Sequence, residues 1–315
     1  AALFLWFPPS YQVAAFANSI YHALATAFLL AALVLYCAQR ARGIGRRLVA
    51  ALVCAGLAMF THEGAVVLLA LVPGLEVLMS RRARRRPSWR PALFAVPVAI
   101  FGVVWLLVPR WPSGLHLNGT DIRLNALYFF QGLAVPTQIV FGRFGVVLVG
   151  VTTLAALLGI AALRRRALVA LFGVGWFVVA VLPACLLLPW PNYVIDAPRL
   201  LYLASPGVAL LWAAALAPAG WATAVGGLLV AGMLGQSYAF IAKRETFIDQ
   251  GARVVSQLVQ SATQSGPNAG RVYVNVPAFI GPTSEELPLG HFGVTMLPDY
   301  FGLDLPVAAA SGQHL

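Results

Sequence analysis

Ten acidic residues and five histidines are all that 315 residues offer for proton transfer or metal binding. His62 and Glu63 stand together in Thr61-His62-Glu63, where one apolar run stops and the next begins. A carboxylate there can act as a base, hold a metal or bind a sugar hydroxyl. The same residues also make a polar turn, with Glu63 at the positive end of the following helix. Asp196 and Arg199 lie in a proline-rich stretch, Pro189 to Tyr202, that leads into another apolar run. Arg199 with Tyr202 suits a phosphate, because guanidinium offers paired donors and a permanent charge. With Trp190 and Tyr193, these residues equally suit an aromatic belt at headgroup depth. Asn18, Tyr21 and His22 recur at spacings of three and four, so they share a helix face. They line a cavity or pack as core. Glu76 is expected to snorkel toward Arg81 and Arg82. No catalytic residue is identified from these patterns. No phosphate-cradling glycine loop, His-Glu-x-x-His pair or nucleophile elbow occurs. Cys37, Cys54 and Cys185 lie singly in apolar segments and form neither a metal spacing nor a disulfide framework.

The elements that position these residues are set by composition. Sixty per cent of the chain is hydrophobic, 10% is charged, and mean hydropathy is +0.83. A soluble domain carries about 25% charge, so the chain reads as an all-α polytopic membrane protein. A net charge of +11 does not mark a nucleic-acid binder, because the arginines cluster between apolar runs. Expected spans are Val13 to Cys37, Leu48 to Phe60, Gly64 to Met79, Ala92 to Pro109, Gly145 to Leu163, Leu168 to Leu188, Leu200 to Ala217 and Ala222 to Ile241. That makes eight full transmembrane helices, plus a partial one at residues 1–7.

Arg40, Arg42, Arg46 and Arg47 fall in one loop, Arg81 to Arg90 in a second and Arg164 to Arg166 in a third. The positive-inside rule makes these loops cytoplasmic. Thr61 to Glu63, the loop 110–125 and Pro189 to Arg199 then face outside. Leu127 to Phe144 cannot also cross without inverting the Arg164 cluster, so it is expected as a helix or helical hairpin in the outer interface. The division is a transmembrane domain, 1–241, and an incomplete extracytoplasmic tail, 242–315. In the tail an amphipathic helix at Lys243 to Ser261 and a strand at Arg271 to Pro277 predict a small α/β or α+β unit.

Three stretches, in order, resemble one family. Ser10 to Phe28 with its following basic loop, Thr61-His-Glu-Gly-Ala-Val-Val67 and Arg199-Leu-Leu-Tyr-Leu-Ala-Ser-Pro-Gly207 are similar to the polytopic GT-C glycosyltransferases. The likeness is nearest to the protein O-mannosyltransferases that carry tetratricopeptide repeats, and to their bacterial relatives. It covers roughly residues 1–241, with His62 at the family's lysine position. The resemblance implies transfer of a sugar from a polyprenyl-phosphate sugar donor to an acceptor on the outer face. It assigns Arg199 and Tyr202 to the phosphate and Glu63 to a supporting polar role. It also implies an acidic residue upstream of Ala1 that acts as the catalytic base, and a divalent metal for which no ligand is assigned here. Two other classes stay open. One is a non-catalytic accessory subunit of a membrane complex, docking through its tail. The other is a secondary transporter, against which stand the lack of repeat symmetry and the outward gathering of ionisable residues.

Overall fold

The computed structural model describes residues 4, 7, 13, 19–39, 45–108, 117–141, 144–188, 198–216, 222–264, 279–280 and 294–295. Their helices are α1 (Ile20–Gln39), α2 (Arg46–Thr61), α3 (Leu68–Arg82), α4 (Ala95–Leu107), α5 (Gly119–Phe130), α6 (Val135–Phe141), α7 (Val146–Leu163), α8 (Ala167–Leu187), α9 (Ser205–Leu216) and α10 (Ala222–Gln264). Short 3-10 turns at Glu63–Val67 and Arg90–Phe94 lead into α3 and α4, Gln131–Ala134 joins α5 to α6, and Pro198–Leu201 precedes α9.

Five helical stretches are long and apolar enough to cross a bilayer: Ile20–Gln39, Glu63–Arg82, Arg90–Leu107, Val146–Leu163 and Ala167–Leu187. Those are the spans of sufficient length among the described residues, against eight expected from the whole sequence, and two of the other expected spans are shorter as helices. α2 has 16 residues, roughly 24 Å of helix against about 30 Å of hydrocarbon. α9 has 12 residues, because Leu200 and Leu201 belong to a 3-10 turn and the helix starts only at Ser205. The apolar part of α10, Ala222 to Ile241, carries no charged residue and agrees in composition with the eighth expected span.

Small residues let the helices approach closely, as membrane packing requires. Buried Ala25 and Ala32 of α1 meet a face of α2 made by Ala51, Ala55 and Ala58. Between α8 and α9 the contact is glycine on glycine. A Cβ on Gly173 would lie 2.6 Å from the Gly207 carbonyl oxygen, and one on Gly207 would lie 2.6 Å from that of Gly173. Lipid-side apolar residues stay exposed, among them Val103, Leu106 and Leu163.

The arginine clusters gather at one end of the bundle. α3 and α8 run antiparallel, with Gly74 against Phe172 and Arg81 beside Leu168, so the Arg81 turn and the Arg164–Arg166 turn are neighbours. Tyr36, near the end of α1, reaches Glu76 near the end of α3, which brings the first basic loop to the same end. Arg84 and Arg165 sit at φ 49° and 56°. Each closes its helix by a Schellman pattern: the next amide bonds five residues back, Arg85 to Ser80 at 3.0 Å and Arg166 to Ala161 at 2.7 Å. Glycine fits that conformation better, so both turns keep a charge at a conformational cost.

Glu76 does not snorkel. It is buried, accepting from Tyr36 Oη at 2.7 Å, Ser80 Oγ at 3.1 Å and the Ser88 amide at 2.8 Å. A buried carboxylate needs such donors, and they come from α1, from the next turn of α3 itself and from the chain beyond α3.

The stretch 119–141 enters and leaves at the end opposite the arginines. Near the start of its descent, Asn125 Nδ2 donates to Cys185 O and Leu188 O at the terminus of α8. The 3-10 turn then reaches Phe177, against which a Cβ on Gly132 would press. Phe177 lies ten residues inside α8, about 15 Å deep. The chain returns to the start of α7, where Gln138 Nε2 donates to Val146 O at 2.8 Å. It is a helical hairpin that goes half-way and comes back.

α10 runs unbroken from Ala222 to Gln264, so the change of composition at Lys243 falls within one helix. Its second half is the amphipathic segment expected from sequence. Beyond it the described residues are a two-residue antiparallel pair, β1 (Phe279–Ile280) and β2 (Val294–Thr295), with Phe279 opposite Thr295. The expected strand Arg271 to Pro277 lies outside the described residues, and nothing described there supports an α/β or α+β unit.

Candidate functional site

At the end opposite the arginines, α2 stops at Thr61 and the chain turns through His62. His62 is extended, at φ −156° and ψ 125°, and its Nδ1 accepts from the Gly64 amide at 2.8 Å. The imidazole thereby caps the 3-10 turn. An accepting Nδ1 carries no proton, so the 3.9 Å approach of Glu63 Oε2 to the same nitrogen is not an ion pair. Burial holds the His62 pKa below its ordinary value, and Glu63 opposes that shift weakly. Glu63 itself points away: its side chain is 61% exposed, against 17% for His62. Of the two, His62 faces the protein.

His62 meets the first turn of α1. Its ring stacks on Tyr21 at 5.3 Å between centroids and lies 4.5 Å from the ring of His22. Tyr21 and His22 are themselves 4.4 Å apart. His22 is buried and Tyr21 is part-exposed at 37%, so the cluster has one wet edge.

The third component is the segment before α9. Two tryptophans hold non-helical backbone inside the bundle. Trp176 Nε1, at the middle of α8, donates to Leu203 O at 3.0 Å, and Trp212 Nε1 donates to Leu133 O at 3.0 Å. At membrane depth a carbonyl outside a helix must find a donor within the protein, and the indoles supply it. Leu203 in turn packs on the turn after His62: a Cβ on Gly64 would lie 3.3 Å from its side chain. Arg199 is part-buried and close enough to act on His22 electrostatically. The ring of Tyr202 lies 5.6 Å from that of Phe4.

Of the residues singled out from sequence, Tyr21, His22 and His62 therefore form one cluster, with Arg199 within electrostatic range of it. Tyr202 sits on the same dipping segment. Glu63 borders the cluster but faces outward. Asn18 and Asp196 lie outside the described residues. Trp176, Trp212 and Asn125 were not singled out, although an indole or amide inside an apolar run is itself a signal that some backbone group nearby needs a partner. The described residues contain no group of three or more His, Cys, Asp or Glu side chains able to hold a metal.

The arrangement combines two imidazoles, a phenol and a guanidinium beside a break in the bundle. It can hold an anion by charge and orient a polar group by hydrogen bonds. No protein-family model matches the chain. No curated protein and no solved structure matches it either.

Proposed function

We propose that the chain belongs to a membrane enzyme of GT-C type, and that this site takes the phosphate of a polyprenyl-phosphate sugar at the outer face. The carrying observation is that Leu203, four residues after Arg199, is held by Trp176 at the middle of α8 and packs on the turn after His62, so the segment carrying Arg199 and Tyr202 enters the bundle beside the His22–His62 pair. A lipid-linked phosphate arrives at the membrane surface with its chain already in the hydrocarbon. Arg199 is the phosphate contact in this reading, with Tyr202 beside it. His22, His62 and Tyr21 line the approach of the sugar and its acceptor. The positive-inside rule places the arginine end in the cytoplasm, and the His62 end and the second half of α10 outside.

A binding measurement tests the site without depending on a catalytic base. The full chain in nanodiscs is titrated with a polyprenyl phosphate and with the matching polyprenol. The phosphate is expected to bind at least ten-fold more tightly. Arg199→Lys is expected to lose most of that difference, because an ammonium lacks the paired donor geometry. Equal binding of the two lipids would remove the glycosyltransferase reading in favour of an accessory subunit. Orientation is tested separately by a cysteine at Ser256, in a chain from which Cys37, Cys54 and Cys185 have been removed. Labelling by an impermeant reagent in intact cells is expected, and labelling only after lysis would reverse the assignment.

A further inference from the structure

A second feature lies on the lipid side of α3 and α8 and opens toward the arginine end; it shares Trp176 with the segment before α9 but none of the polar residues of the donor site. α3 and α8 part to leave an open groove of about 390 Å³, walled by Leu71, Gly74, Val77, Leu171, Phe172 and Gly175. Its lining is almost wholly apolar, and Arg81 stands at one mouth beside Leu168. Val77, Leu168 and Leu171 are each more than 40% exposed, so the groove opens on the lipid side. It runs from Ala70 to Arg81, eleven residues and about 16 Å, which is one leaflet of hydrocarbon.

The charge around the mouth is one-sided. Arg81, Arg82, Arg84, Arg85 and Arg86 border it on α3, and Arg164 to Arg166 precede α8. α8 begins without a side-chain cap, so its first amides add to the positive field. In sequence, Glu76 is the only carboxylate in or beside the basic loops, and its oxygens are already held by Tyr36, Ser80 and the Ser88 amide. An apolar slot one leaflet long that ends at Arg81, amid a cluster of arginines, matches an anionic glycerophospholipid. One acyl chain fills the slot and the phosphate meets Arg81. The floor offers room as well as shape: a Cβ on Gly175 meets nothing within 4 Å.

We infer that the α3–α8 groove is a site for one anionic phospholipid, its acyl chain along Gly74 and Gly175 and its headgroup phosphate on Arg81. The test is native mass spectrometry of the full chain in detergent, with phosphatidylglycerol or phosphatidylcholine added at equal concentration. One phosphatidylglycerol is expected to be retained under conditions that strip phosphatidylcholine. Arg81→Gln is expected to lower its retention about five-fold, the factor for one basic residue at a lipid headgroup. Arg86→Gln, in the same cluster but outside the groove lining, is expected to leave retention unchanged. Gly175→Leu fills the slot from its floor and is expected to lose the bound lipid while Arg81 remains. Equal retention of the two lipids overturns the inference. So does an Arg86→Gln loss as large as that of Arg81→Gln, which would mark a diffuse surface charge, or unchanged retention in Gly175→Leu.

Discussion

Gly173→Ala adds one methyl where α8 and α9 touch backbone to backbone. Its Cβ would lie 2.6 Å from Gly207 O and 2.9 Å from Leu211 N. Ordinary contact starts near 3.4 Å, so the helices must separate by about 0.8 Å, because neither neighbour is a side chain that can swing away. Overpacking of this kind costs about 1–3 kcal/mol. Separation would also stretch the nearby bond from Trp176 Nε1 to Leu203 O, now 3.0 Å. Gly175 on the same helix is the control, because its Cβ meets nothing. Gly175→Ala should collect only the helix-propensity gain, up to about 1 kcal/mol. Gly173→Ala collects the same propensity gain, so the two alanine variants should differ by the overpacking cost, roughly 1–3 kcal/mol, read from denaturant unfolding in micelles by tryptophan fluorescence. Gly207→Ala should resemble Gly173→Ala. The double variant should lose clearly less than the sum, since helices already separated admit the second methyl cheaply. Equal stability of Gly173→Ala and Gly175→Ala, or strict additivity in the double variant, would refute the backbone-contact argument.

Tyr36→Phe removes one donor from the buried carboxylate of Glu76, and with Tyr36 only 1% exposed no water takes its place. The expected loss is about 1.5–3 kcal/mol, the range for a hydrogen bond to a charged group, and unchanged unfolding would mean that Glu76 is held by its other donors alone. His62 resists protonation in the folded protein, because burial lowers its pKa below the 6.5 of the free side chain. Below about pH 6.5 the unfolded chain takes up a proton that the folded chain refuses, so stability falls as pH drops. His62→Gln should flatten that part of the stability curve between pH 7.5 and 5.5, and an identical slope in the variant would count against a buried neutral imidazole.

Much of this architecture can be read directly from the sequence. Leucine- and valine-rich runs give the long helices, arginine clusters mark one end, and the break at Thr61-His62-Glu63 is a real turn. That Leu127 to Phe144 would not cross was legible only through a global constraint, since a crossing would have inverted the charge pattern that follows; but it was expected to lie flat in the outer interface, whereas the stretch 119–141 descends half-way along α8 before it returns. What was hidden depends on distant partners. Glu76 looks like a snorkelling residue from Arg81 and Arg82, and only Tyr36, forty residues away, reveals it as buried. His22 and His62 each stand out in sequence, but their meeting needs α1 and α2 to pack as an antiparallel pair. The span expected at Leu200 to Ala217 overlooked that Leu203 O is held by Trp176, so an apolar run of helical length begins with a 3-10 turn. The continuity of α10 was hidden for the opposite reason. A shift from apolar to polar composition looks like a boundary, yet it interrupts no backbone hydrogen bond.

That continuity makes α10 a crankshaft. Its 43 residues extend about 64 Å, more than twice the hydrocarbon thickness. The end of the helix at Gln264 is therefore fixed in height and in azimuth by the apolar end of the same rod. One residue inserted after Lys243 would lift everything beyond it by about 1.5 Å and swing it by about 100° around the axis. Seven inserted residues would raise it about 10 Å and return it to within about 20° of its first heading. The heading at which the chain leaves Gln264 is thus written in the residue count of a helix, and a loop of the same length could not store it.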